Sequence, residues 1–397
     1  MHLRARLLGL AGTLAVIPLA LFGSAGASHA ATTHATTFKS CATAKKGDAA
    51  CMAVVRTDHM VSASALKPNA TPSGYGPSQL QSAYKLPSST AGSGRTVAIV
   101  DAYNDPTAEA DLGVYRAQFG LPACTTANGC FKKVNQSGGT SYPATNGGWA
   151  EEISLDIDMV SAICPNCHIL LVEASSASFA NLGTAVNYAA SVPGVVAISN
   201  SYGGGDAPDS SYGSYYNHPG KAVTASSGDS GYGASFPADS HYVTAVGGTH
   251  LTTASNSRGW TETAWSGAGS GCSAYNAALT GAASFGTGCA NRAEADVSAV
   301  ADPATGVAVY DSTAYQGYVG WMVFGGTSVS APIIASVYAL AGNTASINNN
   351  YPYAHSGSLF DVTSGSNGSC STTQWCHARV GWDGPTGLGT PNGVGAF

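Results

Sequence analysis

Ser328 lies in the run Phe324-Gly325-Gly326-Thr327-Ser328-Val329-Ser330-Ala331-Pro332, between two glycines and a stretch, Ala331 to Leu340, apolar or small enough to form a helix. A hydroxyl at the start of a helix sits where developing negative charge is favoured, which suits a nucleophile. Pro332 fits the first turn, where its missing N–H costs little, and Gly325 and Gly326 keep side chains out of the path of a substrate backbone. An ordinary helix cap would read the same way, so the chemistry has to come from other residues. In Trp149-Ala150-Glu151-Glu152-Ile153-Ser154-Leu155-Asp156-Ile157-Asp158-Met159-Val160, Glu152 and Asp156 are four apart and share one helix face. A partly buried pair of like charges shares a proton and raises one apparent pKa, as a carboxylate base working in acid requires. Glu151 and Asp158 fall on other faces and are expected in solvent. In Ala225-Ser226-Ser227-Gly228-Asp229-Ser230-Gly231, a small-residue strand runs into a loop carrying Asp229, which, if protonated, can donate a hydrogen bond to an oxyanion. A solvated acidic helix face and a turn aspartate are the plainer alternatives.

In chain order the three motifs resemble the sedolisin family, the serine-carboxyl peptidases, over about Pro72 to Phe397. The supporting stretches are Val196 to Gly204, Phe236-Pro237-Ala238, Val246 to Thr249, Ala295 to Ser298 and Asp302 to Gly306. The resemblance implies that Ser328 is the nucleophile, Glu152 its general base, Asp156 the carboxyl partner of Glu152, and that Asp229 lines the oxyanion hole. Many members carry tryptophan where Tyr202 stands. The stretches Leu359-Phe360-Asp361-Val362-Thr363 and Arg379 to Pro391 resemble the family's calcium site. They imply one structural calcium held by the carboxylates of Asp361 and Asp383 and the carbonyls of Val362, Arg379 and Gly381. Arg379 stands where the family usually has glycine, so its side chain must point away from the ion. Read without the resemblance, the same loops are turns capped by aspartates.

The elements that must position these residues alternate. Strands are expected at Thr96–Asp101, His168–Glu173, Val195–Asn200, Ala222–Ser227 and His241–Val246. Helices are expected at Tyr75–Lys85, Thr107–Phe119, Glu151–Ile163 and Phe179–Ala190. This order implies an α/β fold: a doubly wound, mostly parallel sheet with helices on both faces, subtilisin-like by the resemblance. Active residues then lie at the carboxyl ends of the strands. Val307–Tyr310 and Tyr318–Phe324 read as an antiparallel ribbon leading to Ser328.

Met1 to Ala30 has a basic start, an apolar core and the small-residue end Ser28-His29-Ala30, as in a secretory signal. Residues 31–71 read as a short propeptide or extension, and 72–397 as the peptidase domain. The ten cysteines are an even count in a chain bound for export, so disulfides are expected. They cluster as Cys41 with Cys51, Cys124 with Cys130, Cys164 with Cys167, Cys272 with Cys289 and Cys370 with Cys376, which would staple local loops, although sequence does not fix the connectivity.

With 50 glycines in 397 residues, 10% charged residues and a net charge of −6, the chain reads as one loop-rich domain and not as a nucleic-acid binder. No second apolar run could span a bilayer. The expectation is a secreted, monomeric, acid-active serine-carboxyl endopeptidase acting on proteins or peptides. A subtilisin-type Ser/His/Asp enzyme is the nearest rival, with Asp101 where its acid would be. The histidine is the difficulty, because His250 stands on a strand end in the wrong chain order, and Asp101 is read as an ordinary strand-end aspartate. A catalytically silent secreted binding protein on the same fold, and a glycosidase using Glu152 and Asp156, are the other readings.

Overall fold

A computed structural model describes residues 1–2, 36–60, 72–343 and 349–397. The expected signal segment, apart from Met1 and His2, lies outside the described residues, as do 31–35 and 61–71 of the expected extension.

In chain order the strands used below are β1 (Thr37–Lys39), β2 (Ala50–Cys51), β3 (Val54–Arg56), β4 (Thr96–Ala102), β5 (Phe131–Asn135), β6 (His168–Ala174), β7 (Val195–Asn200), β8 (Tyr202–Gly205) and β9 (Ala222–Ser226). They continue with β10 (Thr244–Thr253), β11 (Trp260–Ala264), β12 (Val297–Val300), β13 (Val307–Tyr315) and β14 (Tyr318–Gly325). The helices are α1 (Pro77–Ala83), α2 (Ala108–Gln118), α3 (Gly147–Ile163), α4 (Phe179–Ser191) and α5 (Thr327–Ala341). An eight-stranded sheet runs in the order β11-β10-β9-β7-β4-β6-β5, with β12 also paired to β10. Every pair in it is parallel except β10 with β11.

Alternation along the strands sorts the core into two layers. Val97 and Ile99 of β4, with Ile169 and Leu171 of β6, pack into the layer that holds α3 and α5. Ala98, Val100, Leu170 and Val172 pack into the layer that holds α4. The fold is thus the α/β, subtilisin-like sheet expected from the sequence, with helices on both faces.

Two details differ from the sequence reading. β10 runs through Gly247-Gly248 and does not stop there, because a side chain at Gly248 would lie 2.6 Å from the Ala301 Cβ, and one at Gly247 would strike the Pro385 carbonyl. The glycines admit neighbouring chain; they do not end the strand. Glu151 and Asp158, expected in solvent, are fully buried. Helix α3 is covered on every side, since the β13–β14 ribbon closes over the face that a lone amphipathic helix would expose; the Tyr310 N–H of β13 donates to Asp158 Oδ2 at 3.0 Å. Residues 36–60 pack into the same compact unit as the described residues from 72 onward. There β3 joins β14, β1 joins β3, and β2 joins β8. All ten cysteines pair, each with its near neighbour in sequence. Among the described residues no helix is long and apolar enough to cross a membrane.

Candidate active site

Ser328 is the second residue of α5, entered from Gly326 at φ 95°. The glycine is required there, because a Cβ would strike the Met52 carbonyl oxygen and lie 2.7 Å from Asp229 Oδ2. Gly325 has a different constraint: its Cβ would be driven into Ala301 and Pro303, so it serves packing and not substrate access. Pro332 is the sixth residue of α5, in the second turn, not the first. Its missing N–H is the one that would have met the Ser328 carbonyl, so the helix lacks that rung directly behind the nucleophile. The Ser328 hydroxyl is buried and donates to the Ser201 carbonyl at 3.2 Å.

Helix α3 starts at Asn146, whose side chain accepts from the Trp149 N–H. One turn further on it presents Glu152, and another turn later Asp156, both fully buried. Ser201 Oγ lies 2.8 Å from each oxygen of Asp156 and donates its one proton to that carboxyl. Both Glu152 oxygens are buried without a hydrogen-bond partner. Burial pushes the Glu152 carboxyl well above the ordinary range, and Asp156, Asp101 and Asp229 push the same way as like charges. The adjoining Ser328 hydroxyl opposes them by favouring the ionised form. Burial, then Asp101, raises Asp156 likewise, against the bond from Ser201.

Asp101 is therefore not a simple strand-end residue. It is fully buried at the carboxyl end of β4, paired in register with Glu173 of β6, and neither of its oxygens has a partner. Burial and the Glu173 charge raise it to about 8. It forms a third carboxyl behind the pair. The available signal was its position at the end of the first sheet strand, where a catalytic acid is common in such folds.

Asp229 follows β9 and is 9% exposed. Its Oδ1 accepts from the Thr327 N–H at 2.7 Å and the Thr327 hydroxyl at 2.8 Å. Its Oδ2 is buried and unpartnered, and faces Gly326. Burial pushes this carboxyl up to about 7, against the two Thr327 bonds and the Lys39 charge. With Oδ1 occupied by donors, a proton resides on Oδ2, where it can be donated into the space beside Gly326. Behind the site, the Tyr202 hydroxyl donates to Asn200 Oδ1 at 2.8 Å and lies 3.3 Å from the Tyr216 hydroxyl. The structure thus brings Glu152, Asp156, Asp229 and Ser328 to one place at the carboxyl ends of β7 and β9. The histidine of the rival triad is elsewhere: His250 Nδ1 pairs with Asp302 at 2.8 Å.

The C-terminal loops bring Asp361 and Asp383 together across a turn. Asp361 Oδ2 accepts from the Gly381 N–H at 2.9 Å, and Asp383 Oδ2 from the Arg379 N–H at 3.0 Å. The carbonyls of Val362, Arg379 and Gly381 accept no hydrogen bond from described residues. Arg379 directs its guanidinium to Gln374 Oε1 at 2.9 Å, away from the carboxylates. Burial chiefly, with Asp361 as a nearby like charge, raises Asp383 to about 7. Two carboxylates with free carbonyls beside them are a donor set that fits calcium. A separate buried trio, Asp105, Asp111 and Asp311, did not stand out in the sequence; Thr107, Thr313 and the Ser312 N–H tie it to β13.

No family model matches the chain. Kumamolisin from Bacillus sp. (strain MN-32) is 31% identical over 369 residues, which cover 82% of this chain and 63% of that relative, so the chain spans rather less than two thirds of its length. Tripeptidyl-peptidase SED1 from Arthroderma otae (strain ATCC MYA-4605 / CBS 113480) is 46% identical over 76 residues, 17% of this chain and 11% of that one. In fold, the chain matches a Pseudomonas sedolisin, a serine-carboxyl proteinase solved in complex with two molecules of pseudo-iodotyrostatin. The TM-score is 0.68 at 24% identity, covering 81% of this chain and 96% of that one. In sequence the chain is thus similar to kumamolisin, and in fold to a Pseudomonas sedolisin.

Proposed function

We propose that the chain is a secreted, acid-active serine-carboxyl endopeptidase. The observation that carries this reading is the Ser328 hydroxyl beside a fully buried carboxyl, Glu152, that is backed by a second, Asp156. Ser328 Oγ attacks the peptide carbonyl and its proton passes to Glu152, which returns it to the leaving amine. Asp156, held by Ser201 Oγ, positions Glu152 and shares a proton with it. Asp229 donates from Oδ2 to the oxyanion. The pH dependence follows from the directions of the shifts. Asp229 must keep its proton, so activity falls as pH rises through about 7. The Glu152 and Asp156 pair must lose one proton, and both groups are raised, so activity also falls on the acid side as the pair takes up its second proton. Calcium, when bound by Asp361, Asp383 and the carbonyls of Val362, Arg379 and Gly381, supplies charge that holds the C-terminal loops together. Five disulfides and the leader pattern at 1–30 support export, and the enzyme is read as a monomer acting on proteins or peptides, with no nucleic-acid or membrane partner.

The test is covalent. An acylating peptidase reagent should add its mass to Ser328 in the wild type but not in Ser328→Ala, and only the wild type should digest denatured protein in acid. A folded chain that neither reacts nor digests would be a silent binding protein.

A further inference from the structure

Three carboxyls outside the candidate active site meet from distant parts of the chain. Asp105 follows β4, Asp111 lies in the first turn of α2, and Asp311 stands in β13. Asp105 and Asp311 are fully buried, and Asp111 is 2% exposed. Oxygens taken one from each lie within 4.8 Å of one another. Each carboxyl spends one oxygen on the chain. Asp105 Oδ1 accepts from the Thr107 N–H at 3.0 Å and the Thr313 hydroxyl at 2.9 Å. Asp111 Oδ2 accepts from the Thr107 hydroxyl at 2.6 Å and the Ser312 N–H at 2.8 Å. Asp311 Oδ1 accepts from the Thr313 N–H at 2.7 Å. The remaining oxygens are poorly served. Asp105 Oδ2 meets the Ser154 hydroxyl at 3.3 Å, and Asp311 Oδ2 is buried within the cluster with no partner among the described residues.

Buried charge has to be matched by an opposite charge or a metal ion. Among the described residues no lysine or arginine pairs with any of the three. On the adjoining elements, Lys133 Nζ is taken by Asn104 Oδ1 at 2.6 Å and Glu173 at 3.1 Å, and Arg116 by Ser161 Oγ at 3.0 Å and the Pro165 carbonyl at 2.6 Å. Glu151 and Asp158 of α3 add further like charge beside Asp311. We propose that Asp105, Asp111 and Asp311 hold a second divalent cation, of calcium's size, enclosed between the end of β4, helix α2 and β13.

Size favours calcium. Oxygens at ~2.3–2.6 Å from one ion are at most about 5 Å apart, whereas magnesium at ~2.0–2.1 Å draws its ligands to within about 4 Å of one another. The hydroxyls of Thr107 and Thr313, 2.8 Å apart, are further oxygens of the same cluster. The ion fastens the β13–β14 ribbon, which closes over α3, to the start of α2. Its surroundings also set how fast it leaves. The carboxyls lie beneath half-buried Thr107 and Thr313, so release requires β13 to move, while Asp361 in the C-terminal loops is exposed. A chelator therefore strips the C-terminal loops quickly and the enclosed ion slowly.

The test uses the full chain carrying Ser328→Ala, which prevents self-digestion. It is folded in calcium, treated briefly with EDTA at pH ~7, where carboxylate ligands are ionised, desalted, and assayed by elemental analysis. One calcium per chain should remain, both in this parent and when Asp383→Ala is added, and none when Asp311→Asn is added. Thr107→Val keeps all three carboxyls and removes the hydroxyl between two of them, so it should release the ion roughly tenfold faster or more. Circular dichroism shows which variants are folded. A parent that retains no calcium, or a folded Asp311→Asn chain that retains as much as the parent, would overturn the proposal. Loss of the retained ion in a folded Asp383→Ala chain would place it in the C-terminal loops and overturn it equally. Should Asp311→Asn fail to fold, Thr107→Val decides, and a release rate unchanged from the parent sinks the site.

Discussion

Replacing Asp229 by asparagine separates the carboxyl's hydrogen-bonding role from its charge. In the wild type Thr327 fills Oδ1 with two donors, burial lifts the group to about 7, and Oδ2 carries the proton that faces Gly326. At pH ~5 about 99% of such a group is protonated; at pH ~8 only about a tenth is, so a rate that needs the proton falls about tenfold per unit on the alkaline side. In Asp229→Asn the amide oxygen can accept both Thr327 bonds and the NH2 occupies the Oδ2 position, donating at every pH. Its kcat/KM on a quenched-fluorescence peptide, followed from about pH 3 to about pH 9, should lose the alkaline limb of the wild type or have it displaced upward. Asp229→Ala lacks the donor and leaves the Thr327 N–H and hydroxyl without their acceptor, so it should be slower by ~100- to 1000-fold in acid. Circular dichroism at each pH confirms that the variants remain folded. An alkaline limb unchanged in Asp229→Asn would refute the assignment of the oxyanion donor to this residue, however the alanine variant behaved.

Asp101, raised to about 8 in the fold, binds a proton that the unfolded chain gives up near pH ~4. Its contribution to stability is therefore full below pH ~4 and is lost as pH rises through about 8, a loss on the order of 5 kcal/mol. In a Ser328→Ala background, Asp101→Asn should leave the Tm at pH ~4 unchanged and raise it at pH ~8; equal shifts at both would refute the linkage. Removing calcium with a chelator should lower the Tm, since a ligand at a hundredfold excess over its Kd contributes ~2.7 kcal/mol, and Asp383→Ala should abolish the response. A chelator-insensitive Tm with no calcium in elemental analysis would reduce the site to a turn. Gly326→Ala should lose nearly all activity, because its Cβ enters the space facing Asp229 Oδ2 and its φ is in the left-handed region; wild-type kcat/KM in that variant would contradict the site geometry.

The residues now found together were legible in sequence where a motif is local. Glu152 and Asp156 share a face by their spacing of four, and Ser328 stands between glycines and a long apolar run, so helix geometry alone placed them. What sequence did not disclose depends on which chain covers which. Glu151 and Asp158 looked like solvent-facing acids because helix α3 was read by itself. The cover comes from β13, more than a hundred residues away in sequence, together with Ser40, which lies near Glu151 and favours its charged form against the burial that raises it. Asp101 was passed over because a lone aspartate after a strand has many uses, and only its depth beside Glu173 and behind Glu152 distinguishes it. Pro332 and Gly325 were given the right neighbourhood and the wrong reason, since a helix start and a close packing contact cannot be located to the residue from composition.

The low charge of the chain also has a physical sense that only the packing supplies. Asp101, Glu151, Glu152, Asp156, Asp158, Glu294 and Asp311 are all fully buried, and burial raises each of them. Neutral in acid, these groups behave there as small polar residues; ionised, each would need a partner or water that the interior lacks. Arg116 Nη1 bonds to Ser161 Oγ, and Arg292 is committed to Asp296, so the described interior holds few cations to match them. The proton that keeps Asp229 a donor is thus one of many that the fold takes up on burying its acids. Stability and the proposed oxyanion chemistry are lost over the same rise in pH. A single substitution at Asp229 can extend the donor to neutral pH, but it leaves the remaining buried carboxyls to ionise, so the Tm of Asp229→Asn should still fall between pH ~4 and pH ~8, and the fall should be smaller when Asp101→Asn is added.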